Sequence, residues 1–298
     1  MRPNAEQRFR AMGTDCHVVA VGPRCDEHVD RAIARIEELE LRWSRFIDDS
    51  EVSKLNRADG STVEVSLDTY RLVTTAIGAW RLTGGLFDPT LGKRLADLGY
   101  ETSFETIESS PNNVDAAVSR GCADIVFDAE ALTVRTPVGM GFDAGGIGKG
   151  LAADIVTGEL VDDGSWGAMV NLGGDLRVRG LSPEGDEWVV SVREPAISDD
   201  TLATAHLNDG ALATSTTSKR RWRGPSGMRH HVLDPQTGQP TETDVVLSSV
   251  VGGEAWWAEA AATALLVASP DNRPACAGLQ ITADGTCRRI GGFERYEA

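Results

Sequence analysis

At 298 residues the chain can bury a substantial core, and no stretch approaches the roughly 20 consecutive apolar residues that a membrane-spanning helix needs. A formal net charge of −16 argues against a general nucleic-acid binder, which needs a basic face to displace phosphate counterions. Five cysteines (Cys16, Cys25, Cys122, Cys276 and Cys287), odd in number and without a C-x-x-C pair, argue against a zinc cage or a disulfide framework and predict reduced, partly buried thiols.

The first seven residues, Met1 to Gln7, are polar and lack an apolar signal core, so the expectation is a cytoplasmic protein. Residues 14–21 read as an early strand. Asp26 then looks like an N-cap, followed by Val29, Ile33, Ile36, Leu39 and Trp43 at helical spacing. Ser66 opens a second helix with Tyr70, Val73, Ile77 and Trp80 on one face, stopped by Gly84-Gly85. A third helix begins within 146–151 and runs to about Val161. Short strand-like segments follow at 168–172, 187–193, 202–207 and 246–251, and a last helix covers roughly 255–267. Helices and strands are interspersed without regular β-α-β alternation, which predicts an α+β fold. No linker divides the chain, so one domain over residues 1–298 is expected.

Four segments could carry chemistry. The glycine cluster from Gly139 to Gly150 leads into a helix, where backbone amides and the helix dipole favour an anion and Lys149 adds a cation. It is not a P-loop; residues 139–144 formally match G-x-G-x-x-A, and a tight strand-to-helix turn explains the cluster as well. Glu259 and Thr263, four apart on a helix, share one face among alanines and offer hard oxygen ligands suited to Mg2+, although a solvated helix face also accounts for them. His230-His231 precede a turn at Asp234-Pro235, and a histidine there could serve as a base or simply be structural. Thr83 to Thr90 and Asn171 to Asp175 read either as ligand-lining turns or as plain punctuation.

Taken in order, these segments resemble the FAD:protein FMN transferases, the ApbE-like family. The series is Ala11-Met-Gly-Thr14, Trp43-Ser-Arg-Phe46, Asp49-Ser-Glu-Val-Ser-Lys-Leu-Asn56, Gly85-Leu-Phe-Asp-Pro-Thr90, Asp143 to Gly150, Val170 to Asp175, Ala213-Thr-Ser215, His231 to Gly238, and the Glu259/Thr263 helix. The resemblance implies two packed lobes with a flavin nucleotide cleft between them. It implies that Met12, Phe46, Leu86, Phe87, Asp88, Asp143, Lys149 and Val232 contact FAD. It further implies that Mg2+ is held by the Gly146 carbonyl, Glu259 and Thr263, and that His231 assists catalysis. The implied reaction moves FMN from FAD onto a threonine of an acceptor flavoprotein and releases AMP. An FAD pyrophosphatase and a non-catalytic FAD carrier are the alternatives, with a nicotinamide oxidoreductase suggested only by the formal glycine match. Two departures stand out: the family usually has aspartate where this chain has Glu259, and commonly has Thr-Ser-Gly where this chain has Thr214-Ser215-Thr216.

Overall fold

The computed structural model describes residues 2–102, 114–225 and 227–297. The chain opens with a hairpin of β1 (Asn4–Ala11) and β2 (Thr14–Val21). Its two turn residues, Met12 and Gly13, have φ of 51° and 66°, the primed geometry whose twist matches that of paired strands. Helix α1 (Cys25–Trp43) follows. Its N-cap position is Arg24, in the left-handed region and without a side-chain cap, rather than the predicted Asp26. Asp26 and Glu27 lie in the first turn instead, where their charge faces the positive end of the helix dipole. The Ser50 hydroxyl caps α2 (Glu51–Arg57) by accepting the amide of Ser53 at 2.9 Å, and Ser66 caps α3 (Leu67–Leu82) in the same manner, as predicted. Helix α4 (Gly92–Asp97) and a small sheet of β3 (Val63–Glu64), β4 (Val126–Asp128) and β5 (Thr133–Arg135) complete the first half.

Helix α5 (Gly148–Asp162) leads into β6 (Gly167–Leu172) and β7 (Asp175–Gly180). A long hairpin of β8 (Trp188–Glu194) and β9 (Ser198–Leu207) precedes β10 (Gly210–Thr216). Two short hairpins follow, β11 (Arg221–Gly224) with β12 (Gly227–His230) and β13 (Leu233–Asp234) with β14 (Gln239–Pro240). The chain ends through β15 (Val245–Gly252), α6 (Ala255–Val267), β16 (Ala277–Thr282) and β17 (Cys287–Ile290).

The main sheet has the order β1-β2-β6-β7-β10-β15-β16-β17, and every neighbouring pair is antiparallel. That pairing rules out the parallel dinucleotide fold which the formal glycine match would require. Alternate side chains serve two cores. Val18, Ala20, Ala168, Val170, Leu172 and Ala213 face the helices, whereas Val19, Val21, Met169 and Leu212 face the β8–β9 hairpin. Burial on both faces explains why residues 14–21 and 168–172 read as nearly continuous apolar runs. The architecture is α+β, as expected. No helix among the described residues is long and apolar enough to cross a membrane. All five cysteines are free thiols, three of them buried.

Helix α6 lies at the centre, apolar nearly all round, and its alanines let α5 and the sheet approach closely. Gly150 of α5 meets it so tightly that a Cβ there would come 2.3 Å from the Ala255 carbonyl oxygen. Beside this contact the Asp154 carboxylate accepts the amides of Ala255 and Trp256, both at 2.9 Å, and pairs with Arg177 at 3.2 Å. One side chain thus caps α6 and locks it onto α5. Burial raises the Asp154 carboxyl from 3.8 to about 6, although both amides and Arg177 oppose the shift. A raised folded-state value means this group's stabilisation is full below 3.8 and is lost as pH rises through about 6. Asp154→Ala is therefore expected to cost about 2 kcal/mol at acidic pH, through two uncapped amides, and less at neutral pH. Urea denaturation across that range checks both the size and the direction.

Candidate active site

A cavity of about 750 Å3 opens between this sheet–helix body and a smaller cluster built from Leu95, Leu98, Tyr100, Trp222 and Leu233. Two hairpin tips form its rim. Thr14, next to the Met12-Gly13 turn, packs on Gly173, where a Cβ would sit 2.2 Å from the threonine hydroxyl oxygen. Gly173 and Gly174 have φ of 70° and 101° and turn β6 back into β7, which delivers Asp175 to the cavity floor.

The floor is a buried ion cluster. The Lys149 ammonium, on the first turn of α5, bridges Asp175 at 2.5 Å and the Glu259 carboxylate of α6. The other Glu259 oxygen accepts the Gly150 amide at 2.7 Å, across 109 residues of sequence. The glycine turn was expected to offer amides and a lysine to an external anion. Instead this chain's own carboxylates take the lysine and one amide, because Gly150 lets α6 come within reach. Asp175 also accepts the Thr214 amide at 3.3 Å. Burial raises Glu259 to about 7 against the opposing charge of Lys149. Burial works against the Lys149 charge, but Asp175 and Glu259 outweigh it and hold the ammonium above its ordinary range.

Above the floor the Thr263 and Ser215 hydroxyls lie 3.0 Å apart. Gly146 closes on them: a Cβ there would be 2.9 Å from the Phe87 ring and 3.6 Å from the Thr263 oxygen. Two carboxylates, two hydroxyls and the carbonyl of that turn are hard oxygen donors, suited in kind to Mg2+, which commonly takes few protein ligands and completes its shell with water and phosphate. Among the described residues no group of three or more His, Cys, Asp or Glu side chains is placed to hold a metal. The Lys149 ammonium between the carboxylates already marks the spot as one that attracts positive charge. These donors fit one small, hard cation.

The walls differ in character. Phe46 is 40% exposed, an aromatic face turned to the cavity, with the Arg45 guanidinium 4.2 Å from its centroid and 4.7 Å from that of Tyr100. Arg45 is fixed by Asp143 at 3.1 Å, and the second Asp143 oxygen accepts the Gly145 amide at 2.8 Å. Asp88 binds its own turn, accepting from the Thr90 amide at 2.8 Å and from Ser119 at 2.5 Å, and so shapes the apolar Leu86-Phe87 wall. Val232 is buried in the opposite wall beside His231. Burial, reinforced by the charges of Arg220 and Lys149, lowers His231 well below 6.5, so its imidazole is neutral at neutral pH. Its Nδ1 is buried and has no hydrogen-bond partner among the described residues. His230, its neighbour at the end of β12, does not line the cavity.

The twelve site residues that the family resemblance implies all line this one cavity: Met12, Phe46, the Leu86-Phe87-Asp88 turn, Asp143, Gly146, Lys149, His231, Val232, Glu259 and Thr263. The sequence alone did not pair Asp175, Ser215 or Arg45 with their partners, which lie tens of residues away, and it assigned nothing to Arg220. Thr216, at one departure from the family pattern, spends its hydroxyl on the Val246 carbonyl at 2.8 Å and the Ser218 amide at 3.0 Å.

The fold is that of known flavin transferases. The ApbE protein of Thermotoga maritima matches with a TM-score of 0.87 and 26% identity over 99% of this chain and all of that one. The flavin transferase ApbE of Vibrio cholerae shares the fold, with a TM-score of 0.80 over 99% of this chain and all of that one, at 22% identity. Family match and named relatives together define an enzyme of the transferase class. The chain belongs to the ApbE family, whose profile matches residues 12–283. Relatives named FAD:protein FMN transferase include those of Vibrio cholerae, 28% identical over 88% of this chain and 79% of that protein, and Treponema pallidum, 29% identical over 86% and 76%.

The ion cluster makes its own prediction. Lys149→Met leaves two buried carboxylates facing each other and should cost about 3–5 kcal/mol, part of which Lys149→Met/Glu259→Gln should restore. Urea unfolding of wild type, the two single variants Lys149→Met and Glu259→Gln, and the double variant measures the coupling; Lys149→Met as stable as wild type would show that the cluster is solvated.

Proposed function

We propose that this protein is a Mg2+-dependent FAD:protein FMN transferase, a single two-lobed domain that moves FMN from FAD to a threonine hydroxyl of an acceptor protein and releases AMP. The observation that supports this reading best is convergence: Gly146, Glu259 and Thr263, from a turn and a helix more than a hundred residues apart, share one cavity with Phe46, Leu86 and His231. In the reaction, the threonine oxygen forms a bond to the FMN-side phosphorus, the bond from that phosphorus to the AMP oxygen breaks, and the hydroxyl proton passes to His231. A neutral imidazole with an unpartnered buried nitrogen is suited to that proton. Phe46 and the Leu86-Phe87 wall would flank a planar ring, while Gly146, Glu259 and Thr263 would hold the cation. Mg2+, when bound, supplies charge neutralisation on the diphosphate.

Incubation of the protein with FAD, Mg2+ and a threonine-bearing acceptor should give a covalent flavin adduct by mass spectrometry, with AMP released in equal amount. AMP without adduct assigns hydrolysis, and FAD binding without either product assigns a flavin carrier. His231→Ala should slow transfer about 10²–10⁴-fold with FAD affinity unchanged. Because the His231 value is lowered, its base form persists to acidic pH, so the acidic limb of the rate profile should lie well below 6.5. An inflection at 6.5 that disappears in the variant would contradict this placement.

A further inference from the structure

Five of six cations lining the cavity are committed to partners within the protein. Arg10 pairs with Asp15 at 3.1 Å, Arg45 with Asp143 at 3.1 Å, and Lys219 with Glu194 at 2.9 Å. Arg193 donates to the Thr201 hydroxyl at 3.1 Å, and Lys149 sits between Asp175 and Glu259. Arg220 alone has neither a hydrogen-bond nor an ion-pair partner among the described residues. It is half-buried, and its backbone stands at φ 48°, a left-handed conformation that costs an arginine free energy. Its charge is near enough to oppose the ammonium of Lys149 and to depress the imidazole of His231. An unpaired guanidinium sharing a cavity with another cation is unfavourable until an anion arrives between them.

We propose that Arg220 is the phosphate-binding residue of the cleft, its guanidinium gripping the FMN-side phosphate of the flavin nucleotide between the ion cluster and His231. This rests on the flavin-transfer reading and adds a residue to it. Guanidinium suits the task, since its planar fork matches two phosphate oxygens at once and holds its charge throughout the reaction. Lys149 cannot take this part while its ammonium is divided between two carboxylates.

The test is fluorescence titration of the full chain with FMN and with riboflavin, which lacks the phosphate. Wild type should prefer FMN. Arg220→Gly relieves the positive φ, and Arg220→Gln keeps the side-chain length without the charge. Both should bind riboflavin as wild type does and lose FMN affinity about tenfold or more, with Arg220→Lys retaining part of it. Melting temperatures of the variants, with Arg220→Gly at or above wild type, separate this loss from misfolding. An unchanged FMN-to-riboflavin ratio in Arg220→Gly and Arg220→Gln overturns the assignment while leaving flavin transfer standing. Wild type that binds neither flavin removes the transfer reading and this inference with it.

Discussion

Three charged groups from three elements meet at the base of the cleft: Lys149 from α5, Asp175 from β7 and Glu259 from α6. Glu259 and Asp175 are each about 2% exposed, so all the compensation must come from within the protein. Desolvating ions costs several kcal/mol apiece, and only good geometry with extra hydrogen bonds recovers it. Here the Gly150 and Thr214 amides supply those bonds. With both carboxylates ionised the cluster would carry two negative charges against one positive, a residual charge that would favour entry of a cation. It also pins the sheet and both central helices to one another at the point where the chemistry would occur.

The approach of α5 to α6 makes that cluster possible, and small residues make the approach possible. Gly150 lies against the Ala255 carbonyl, and alanines flank Glu259 along α6 at 258 and 260–262. Asp154, one turn further along α5, takes the first amides of α6, so the two helices are held at two points. The hairpin turn at Gly173-Gly174 performs the corresponding service for Asp175. Each device is local in sequence, yet each acts by setting a long-range distance.

Periodicity made much of the frame legible. The strand expected at 14–21 and the helix expected at 255–267 coincide with β2 and α6, because strong apolar patterns there serve cores on both sides. By contrast β1 is mostly polar, being an edge strand with one covered face, and its sequence carried no strand signal. The start of α1 was misplaced because Arg24 enters the helix through a left-handed residue without a side-chain cap, a geometry that propensity does not foresee. The site residues were found through an ordered series of motifs. Spacing along the chain could not have shown that Lys149 faces Glu259, 110 residues away. Nor could it have shown that Asp175 completes the pair.

That pairing changes the meaning of the glycine-rich turn. A helix N-terminus with a nearby lysine is ordinarily a ready anion site, and the anion at α5 is Glu259 itself. An aspartate at this position would be one methylene shorter, and the Glu259 carboxylate reaches the Gly150 amide at 2.7 Å. Once Glu259 occupies that place, a substrate diphosphate has to be met from elsewhere in the cavity. The cavity-lining groups that could meet it are the hydroxyls of Ser215 and Thr263 and the guanidinium of Arg220, together with a cation if one binds at the floor. On the proposed reading the cleft would divide its labour: the carboxylates of the floor would gather a cation, Arg220 would face the phosphate, and the neutral imidazole of His231 would be left free to take a proton.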